Sequence, residues 1–282
     1  MKIIKTRICI TGHNGFIGKN LLKILETDTN IELILFKGDL LKEKDVELFF
    51  SNNPKIDQII YLVGGFFGSF EQLIKINAVA LDNLLRISTL NRVKKIIFTS
   101  TGAVYGEPSR KSSREDDLLR PNTPYGLSKM FAEEIIKYYN QNFGLNYIIL
   151  RFSNVYGEGS NKGVLYNFIS GIKTKGVIFL DGDGKQTRNF LHVSDACLAI
   201  KKSIIFNQSG IFNISSSIRY SLIDIVKVLQ KRYRFKVEFR KADNTLKDLS
   251  LDINKSKKIL GFNTIEEEIN FENLDILYCP KN

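Results

Sequence analysis

Short apolar runs alternate with amphipathic stretches through the first half of the chain, which is the pattern of repeated strand–helix–strand units and a parallel sheet. Strands are predicted at Arg7 to Ile10, Ile31 to Phe36, Asp57 to Val63, Lys95 to Thr99 and Tyr147 to Phe152. The runs between them read as helices: about Phe16 to Leu25, Lys42 to Phe50, and Phe70 to Leu90, where apolar residues recur at 73, 74, 76, 80, 81, 84, 85 and 87. A further helix begins at Pro124, with Thr123 suited to its N-cap and proline to its first position, and runs to about Tyr139. After Gly157 the pattern loosens. Helices are expected at Val164 to Ile172, Ser194 to Ile205, Leu222 to Lys231 and Lys255 to Leu260, with short strands at Val177 to Leu180, Ile211 to Ile214 and Lys236 to Phe239. The fold class is therefore α/β, a doubly wound parallel sheet with a small, discontinuous second α/β lobe over its carboxyl edge. The expected division is 1–157 plus about 186–208 for the large unit, and about 158–185 with 209–282 for the lobe.

Composition narrows this picture. The 282 residues are 43% hydrophobic and 25% charged, as in a globular protein, and hold no apolar run of membrane-spanning length. The N-terminal residues read as the lead into the first strand rather than a signal peptide. Cys9, Cys197 and Cys279 show no ligand spacing, and the chain has two histidines in all, so neither a disulfide frame nor a metal site is expected. A reducing, cytoplasmic setting follows as an expectation. The net charge of +11 comes from scattered basic residues with no basic tail. It reads as a lysine-rich solvated surface, without a nucleic-acid or membrane partner.

Two stretches carry candidate chemistry. The first strand runs into Thr11-Gly12-His13-Asn14-Gly15-Phe16-Ile17-Gly18, three glycines three apart between a strand and a helix. Glycine lets the backbone approach a pyrophosphate, and the helix start supplies N–H donors and positive dipole. The second strand ends Phe36-Lys37-Gly38-Asp39-Leu40, without the acid that would meet the ribose hydroxyls of NAD. Lys37 there suits a 2′-phosphate, which favours NADP over NAD. Further on, Tyr125 and Lys129 stand one helical turn apart on one face. An ammonium beside a phenol, at the positive end of a helix, favours the phenolate and so a tyrosine that moves protons near neutral pH.

Taken together these motifs are similar to those of the extended short-chain dehydrogenase/reductases, the nucleotide-sugar epimerase/dehydratase family, over nearly the whole chain to about Phe262. Gly12, Gly15 and Gly18 resemble its cofactor loop, with Asn14, Phe16 and Ile17 in the same turn. Gly38-Asp39-Leu40 resembles its adenine-contacting segment, and Asn77 its helix asparagine near the active site. Thr101 stands where the family carries a catalytic hydroxyl, and Tyr125 with Lys129 where it carries the catalytic pair. Asn154 in Arg151–Gly157 and Arg188 in Gln186–Asp195 match segments that hold the nucleotide sugar, with Lys247 a further positive candidate. The resemblance implies a Rossmann-like dinucleotide domain, NADP or NAD as cofactor, a nucleotide-diphosphate sugar as substrate, a place in polysaccharide biosynthesis, and a homodimer through helices 70–90 and 124–142. His192 reads as structural.

Departures from the family pattern narrow the reaction. Its dehydratases carry Asp-Glu directly after the hydroxyl residue, where this chain has Gly102-Ala103. The cysteine and histidine of its combined epimerase–reductases are also missing. The resulting expectation is hydride chemistry at sugar C4: a 4-keto sugar reductase, or alternatively a 4-epimerase that keeps NAD bound. A non-catalytic dinucleotide- or RNA-binding relative is the third reading, opposed by the intact Thr101, Tyr125 and Lys129.

Overall fold

The computed structural model describes residues 5–107, 110–241 and 248–277. Six strands form one wholly parallel sheet in the order β2-β1-β3-β4-β5-β9. They are β1 (Thr6–Thr11), β2 (Ile31–Leu35), β3 (Gln58–Tyr61), β4 (Lys95–Thr101), β5 (Asn146–Phe152) and β9 (Gly210–Ile214). Strand residues alternate between two buried faces. Cys9, Ile59, Ile96, Phe98 and Ile149 pack under α2 (Glu43–Asn52), α4 (Ala80–Leu90) and α5 (Pro124–Phe143). Ile8, Ile10, Ile60, Ile97 and Leu150 pack under α1 (Phe16–Leu25) and α7 (Val193–Ile205). Continuous apolar strands are what a sheet covered on both faces requires.

The strand order reverses at β1, with β2 on one side and β3 on the other. Because all strands run the same way, Thr11, Tyr61, Thr101 and Phe152 end at one edge, where open α/β sheets bind ligands. The stretch expected as one helix over 70–90 is α3 (Phe70–Ile74), a π-helical turn (Lys75–Val79) and α4. α5 extends to Phe143, four residues past its expected end, and closes on Gly144 in the left-handed conformation.

The second lobe is assembled from short pieces. β6 (Asn154–Tyr156), β8 (Thr187–His192) and β10 (Arg219–Ser221) form a three-stranded sheet, and β7 (Val177–Asp181) pairs with β11 (Lys236–Arg240). Its core joins α6 (Val164–Lys175) to α8 (Leu222–Gln230) through Phe168, Ile169, Ile225 and Leu229. A short helix, α9 (Asn254–Ile259), follows. The expected lobe boundary at 209 falls before β9, which pairs along its length with β5 as the last strand of the large sheet. β8, expected in the large unit, instead pairs with β6 and β10. Both shifts have one cause: a three-to-six-residue strand gives little periodicity, so its partner is set by the fold rather than by its own sequence. Among the described residues, no helix is long and apolar enough to cross a membrane.

Candidate active site

The glycine cradle sits at the switch point between β1 and β3. Gly12 has φ +71°, and a Cβ there would lie 2.9 Å from the backbone of Leu62 and of Val63. A Cβ on Gly18 would lie 2.4 Å from the Gly12 carbonyl oxygen and 2.6 Å from His13 Cα, so α1 docks on the loop only because residue 18 lacks one. Gly15 caps α1, with no side-chain cap and no acid in the first turn, which leaves this helix start to an external acceptor. Beside it lies a hollow of about 310 Å³ bordered by Gly12, His13, Asn14, Asp39, Leu40 and Ala80. His13 Nδ1 is buried there with no hydrogen-bond partner among the described residues. A cradle closed to any side chain and an orphaned polar atom beside it fit a dinucleotide. Asp39 is held in place, its Oδ1 accepting from the Leu41 amide at 2.9 Å. Lys37 is exposed and lines an adjoining depression with Leu35, Asp45 and Asn52, while its neighbours Phe36 and Gly38 both border the hollow.

The reaction centre is a cavity of about 220 Å³ bordered by Phe16, Ile17, Thr101, Tyr125, Lys129 and Asn154, among others. Thr101 ends β4, and its hydroxyl hydrogen-bonds the Tyr125 phenol and accepts from the Ala103 amide at 3.2 Å. The Thr123 hydroxyl caps α5 by accepting from the Gly126 amide at 3.1 Å, with Pro124 behind it. Tyr125 therefore stands in the first turn, half-buried. Lys129, one turn on and 4% exposed, donates to the Thr99 carbonyl at 2.9 Å, with its ammonium 4.4 Å from the Phe98 ring centre. Burial pulls the Lys129 ammonium down to about 7, opposed by the charge of Glu133 and assisted by that of Lys162. Burial pushes the Tyr125 phenol up to about 12, with only the Thr101 hydrogen bond opposing. The lowered phenol expected from Lys129 is thus not what this state holds: the ammonium is committed to Thr99, and burial outweighs it.

Asn77 sits in the π-helical turn, fully buried. Its Oδ1 accepts from the Gly65 amide at 2.8 Å, and its Nδ2 donates to the Gly65 carbonyl at 3.0 Å and to Ser128 Oγ at 2.8 Å. Both N–H donors and one acceptor position are spent holding the loop after β3 against α5, so Asn77 shapes the floor of the site and keeps one Oδ1 lone pair.

On the far wall, Asn154 Nδ2 donates to the Asn189 carbonyl at 3.2 Å. Alternation along β8 puts Arg188 on the same face as Phe190, which lines the cavity, and turns Asn189 to the other side. Arg188 is 9% exposed, and burial lowers the affinity of its guanidinium for the proton. Lys247 lies outside the described residues. Segment 248–252 straps this wall to the catalytic strand. Asp248 Oδ1 accepts from the Thr187 amide and hydroxyl, each at 2.7 Å, and Leu249 and Leu251 pack on Val104 and Tyr105. A Cβ on Gly102 would lie 3.1 Å from both leucines.

Three residues of the site escape a reading by motif. Phe66 packs on Tyr125 with ring centres 4.6 Å apart and planes tilted by 57°, Lys162 lies 5.5 Å from the Phe66 ring centre, and buried Glu133 acts on Lys129. Gly64-Gly65-Phe66-Phe67-Gly68, two aromatics framed by glycines at a strand exit, was the available signal for the first. The four-residue spacing from Lys129 was the signal for Glu133.

Residues 8–215 match the NAD dependent epimerase/dehydratase family. A putative UDP-glucose 4-epimerase of Methanocaldococcus jannaschii is 29% identical over 89% of this chain and 92% of its own length. A dTDP-D-glucose 4,6-dehydratase of Dictyostelium discoideum is 30% identical over 78% of this chain and 61% of its own. Among solved structures, the UDP-glucose 4-epimerase of Thermotoga maritima with UDP-glucose aligns at TM-score 0.83 and 24% identity, over 93% of this chain and 95% of that one. A UDP-glucuronic acid 4-epimerase of Bacillus cereus with UDP-glucuronic acid and NAD aligns at TM-score 0.81 and 24% identity, over 92% and 94%. With the dinucleotide cradle and the Thr101–Tyr125–Lys129 constellation in place, the chain belongs to the NAD dependent epimerase/dehydratase family and is an enzyme of the extended short-chain dehydrogenase/reductase type.

Proposed function

We propose that this enzyme is an NAD-dependent nucleotide-sugar 4-epimerase, with UDP-hexoses the substrate class its relatives favour. The observation that carries the reading is the convergence of Thr101, Tyr125 and Lys129 on one cavity, with Gly102 tight against Leu249 and Leu251. Proton transfer at a sugar hydroxyl is provided for. The acid–base pair that water loss needs beside Thr101 is missing, with Gly102 and Ala103 in its place. NAD is preferred over NADP because solved relatives of the same fold, such as the UDP-glucuronic acid 4-epimerase of Bacillus cereus, are described with NAD.

The cradle of Gly12, Gly15 and Gly18 would hold the pyrophosphate, Asp39 and Leu40 the adenosine end, and Lys129 the nicotinamide ribose. NAD, when bound, supplies the hydride acceptor and donor. Thr101 holds the C4 oxygen, and Tyr125 takes its proton as the sugar is oxidised and returns it as the sugar is reduced. Lys129, once a ligand draws it toward the phenol, stabilises the phenolate. Arg188 suits the diphosphate through paired, charge-assisted hydrogen bonds, with Asn154 beside the sugar.

The enzyme is also read as a homodimer. Phe70, Val79, Phe131 and Tyr138, each at least 42% exposed, border an apolar groove between α3–α4 and α5 that a second copy would cover.

The test is incubation with UDP-glucose or UDP-galactose, with and without added NAD or NADH. The expected result is interconversion of the two sugars with no net change in NADH, from protein sedimenting at twice 32.2 kDa. Net NADH or NADPH oxidation with a 4-keto sugar nucleotide would replace the epimerase by the reductase, and a monomer at micromolar concentration would remove the dimer.

A further inference from the structure

A charge lies buried under the reaction centre that no step above uses. Glu133 is wholly buried one turn beyond Lys129 on the same face of α5. Its Oε1 accepts from Ser100 Oγ at 2.5 Å and from Arg151 Nε at 3.1 Å, and its Oε2 from Arg151 Nη2 at 2.6 Å. Arg151, 1% exposed, turns its remaining nitrogen to Tyr105 Oη at 2.8 Å, and Tyr105 Oη donates to Asn213 Oδ1 at 2.7 Å. Asn213 in turn donates to the Ser113 and Asp252 carbonyls at 2.9 and 3.1 Å. One polar chain thus runs from the strap at 248–252 to the foot of Lys129, and Ser100, the residue before Thr101, is part of it.

A buried ion pair adds little to stability over well-packed apolar side chains, so stability alone is a poor reason for this one. Its placement offers another. Lys129 is packed against Phe98, with the neutral phenol of Tyr61 beyond that ring, and against the Thr99 carbonyl and the backbone of Gly64. The neutral groups of Asn77 and Tyr125 complete its surroundings. The other charges near it are Glu133 on its own helix, Arg151 on β5 behind Glu133, and Lys162 from the loop before α6. Among these charges of the described residues, only Glu133 favours the ammonium.

We propose that Glu133 is a positioning residue for the reaction: held by Ser100 and Arg151, its carboxylate keeps Lys129 charged and in place beneath Tyr125. The proposal rests on the reading of Lys129 as part of the reaction centre. It accounts for a buried lysine beside a proton-transferring phenol that has no carboxylate in direct contact. The burial that draws Lys129 down to about 7 would draw it further without Glu133.

Glu133→Gln alone strands Arg151 in the interior, so the decisive variant is Glu133→Gln with Arg151→Met, beside Glu133→Asp. Lysine-selective NMR on the whole protein, with Lys129→Arg to assign the signal, follows the Lys129 midpoint against pH. The expected midpoint is near 7 in the parent, about one unit lower in the double variant, and close to the parent in Glu133→Asp. Turnover in the double variant at neutral pH is expected to fall about tenfold through kcat, with KM for the nucleotide sugar little changed. A folded double variant with an unmoved Lys129 midpoint overturns the proposal. Should the parent turn over no nucleotide sugar, the proposed function falls while the titration still decides the role of Glu133.

Discussion

The two walls of the cavity are built by opposite means. The cradle of the cofactor wall is local: Gly12, Gly15 and Gly18 lie within one turn and the helix it opens, and their mutual contacts are backbone on backbone, with Leu62 and Val63 closing on Gly12 from just past β3. The substrate wall is joined across the chain. Thr187 is held by Asp248, 61 residues away, and Asn213 by Ser113, 100 residues away. Local contacts form at small entropic cost, whereas each long-range closure must be offset by burial such as that of Leu249 and Leu251 on Tyr105. The difference teaches where variation is tolerated. The cradle has one solution, while the strap and the short strands of the lobe can be re-cut to fit another sugar without disturbing it. Thr101, Tyr125 and Lys129 stand at the seam and serve both walls.

The sharpest way to separate the seam from its walls is Tyr125→Phe. It keeps the ring that packs on Phe66 and removes only the hydroxyl bonded to Thr101. Turnover is expected to fall by about 10² to 10⁴, the usual worth of a general acid–base group, with NAD affinity and thermal stability close to the parent. Steady-state kinetics beside NAD titration checks this. Undiminished turnover would take proton transfer away from Tyr125 and assign it to another group of the cavity.

The same contrast decides what was legible in the sequence. The large sheet, its helices and the cradle follow from periodicity and from glycines placed between a strand and a helix, because their causes lie within a few residues. Tyr125 and Lys129 were legible as a pair at helical spacing, and Thr101 only through the family resemblance of the stretch around it. What escaped has remote causes. The protonation of Lys129 and Tyr125 depends on burial by the whole fold. β9 and β8 exchanged their expected places because each strand's partner, β5 or β6, was chosen by topology. Phe66 lies over Tyr125 only once β3 and α5 are side by side.

The autonomy of the cofactor wall can be broken by one methyl group. Gly18→Ala puts a Cβ 2.4 Å from the Gly12 carbonyl oxygen, so α1 and the loop must part. Overpacking of this kind costs about 1–3 kcal/mol. Placed on the geometry that meets the pyrophosphate, it corresponds to a loss of about 10- to 100-fold in NAD affinity. Calorimetric titration is the check, and the expected companion result is that nucleotide-sugar affinity changes far less. Equal losses for both ligands would mean that the two walls are not independent.

The smallest effect is expected on the other wall. Arg188→Met keeps an unbranched side chain in place of the arginine stem, but removes the guanidinium and its hydrogen bond to the Thr187 carbonyl at 2.8 Å. A charge-assisted hydrogen bond contributes about 1.5–3 kcal/mol, so KM for the nucleotide sugar is expected to rise at least about tenfold. NAD affinity should stay at the parent value, because no cradle residue depends on β8. The rise should also be larger for a full nucleotide sugar than for the free nucleoside, which has no diphosphate to lose. An unchanged KM would move diphosphate recognition elsewhere on the lobe. A rise shared by the free nucleoside would show that Arg188 supports the fold of the wall rather than the ligand. The comparison between nucleoside and sugar nucleotide in one variant therefore tells recognition from architecture on the side of the site where the two are hardest to separate.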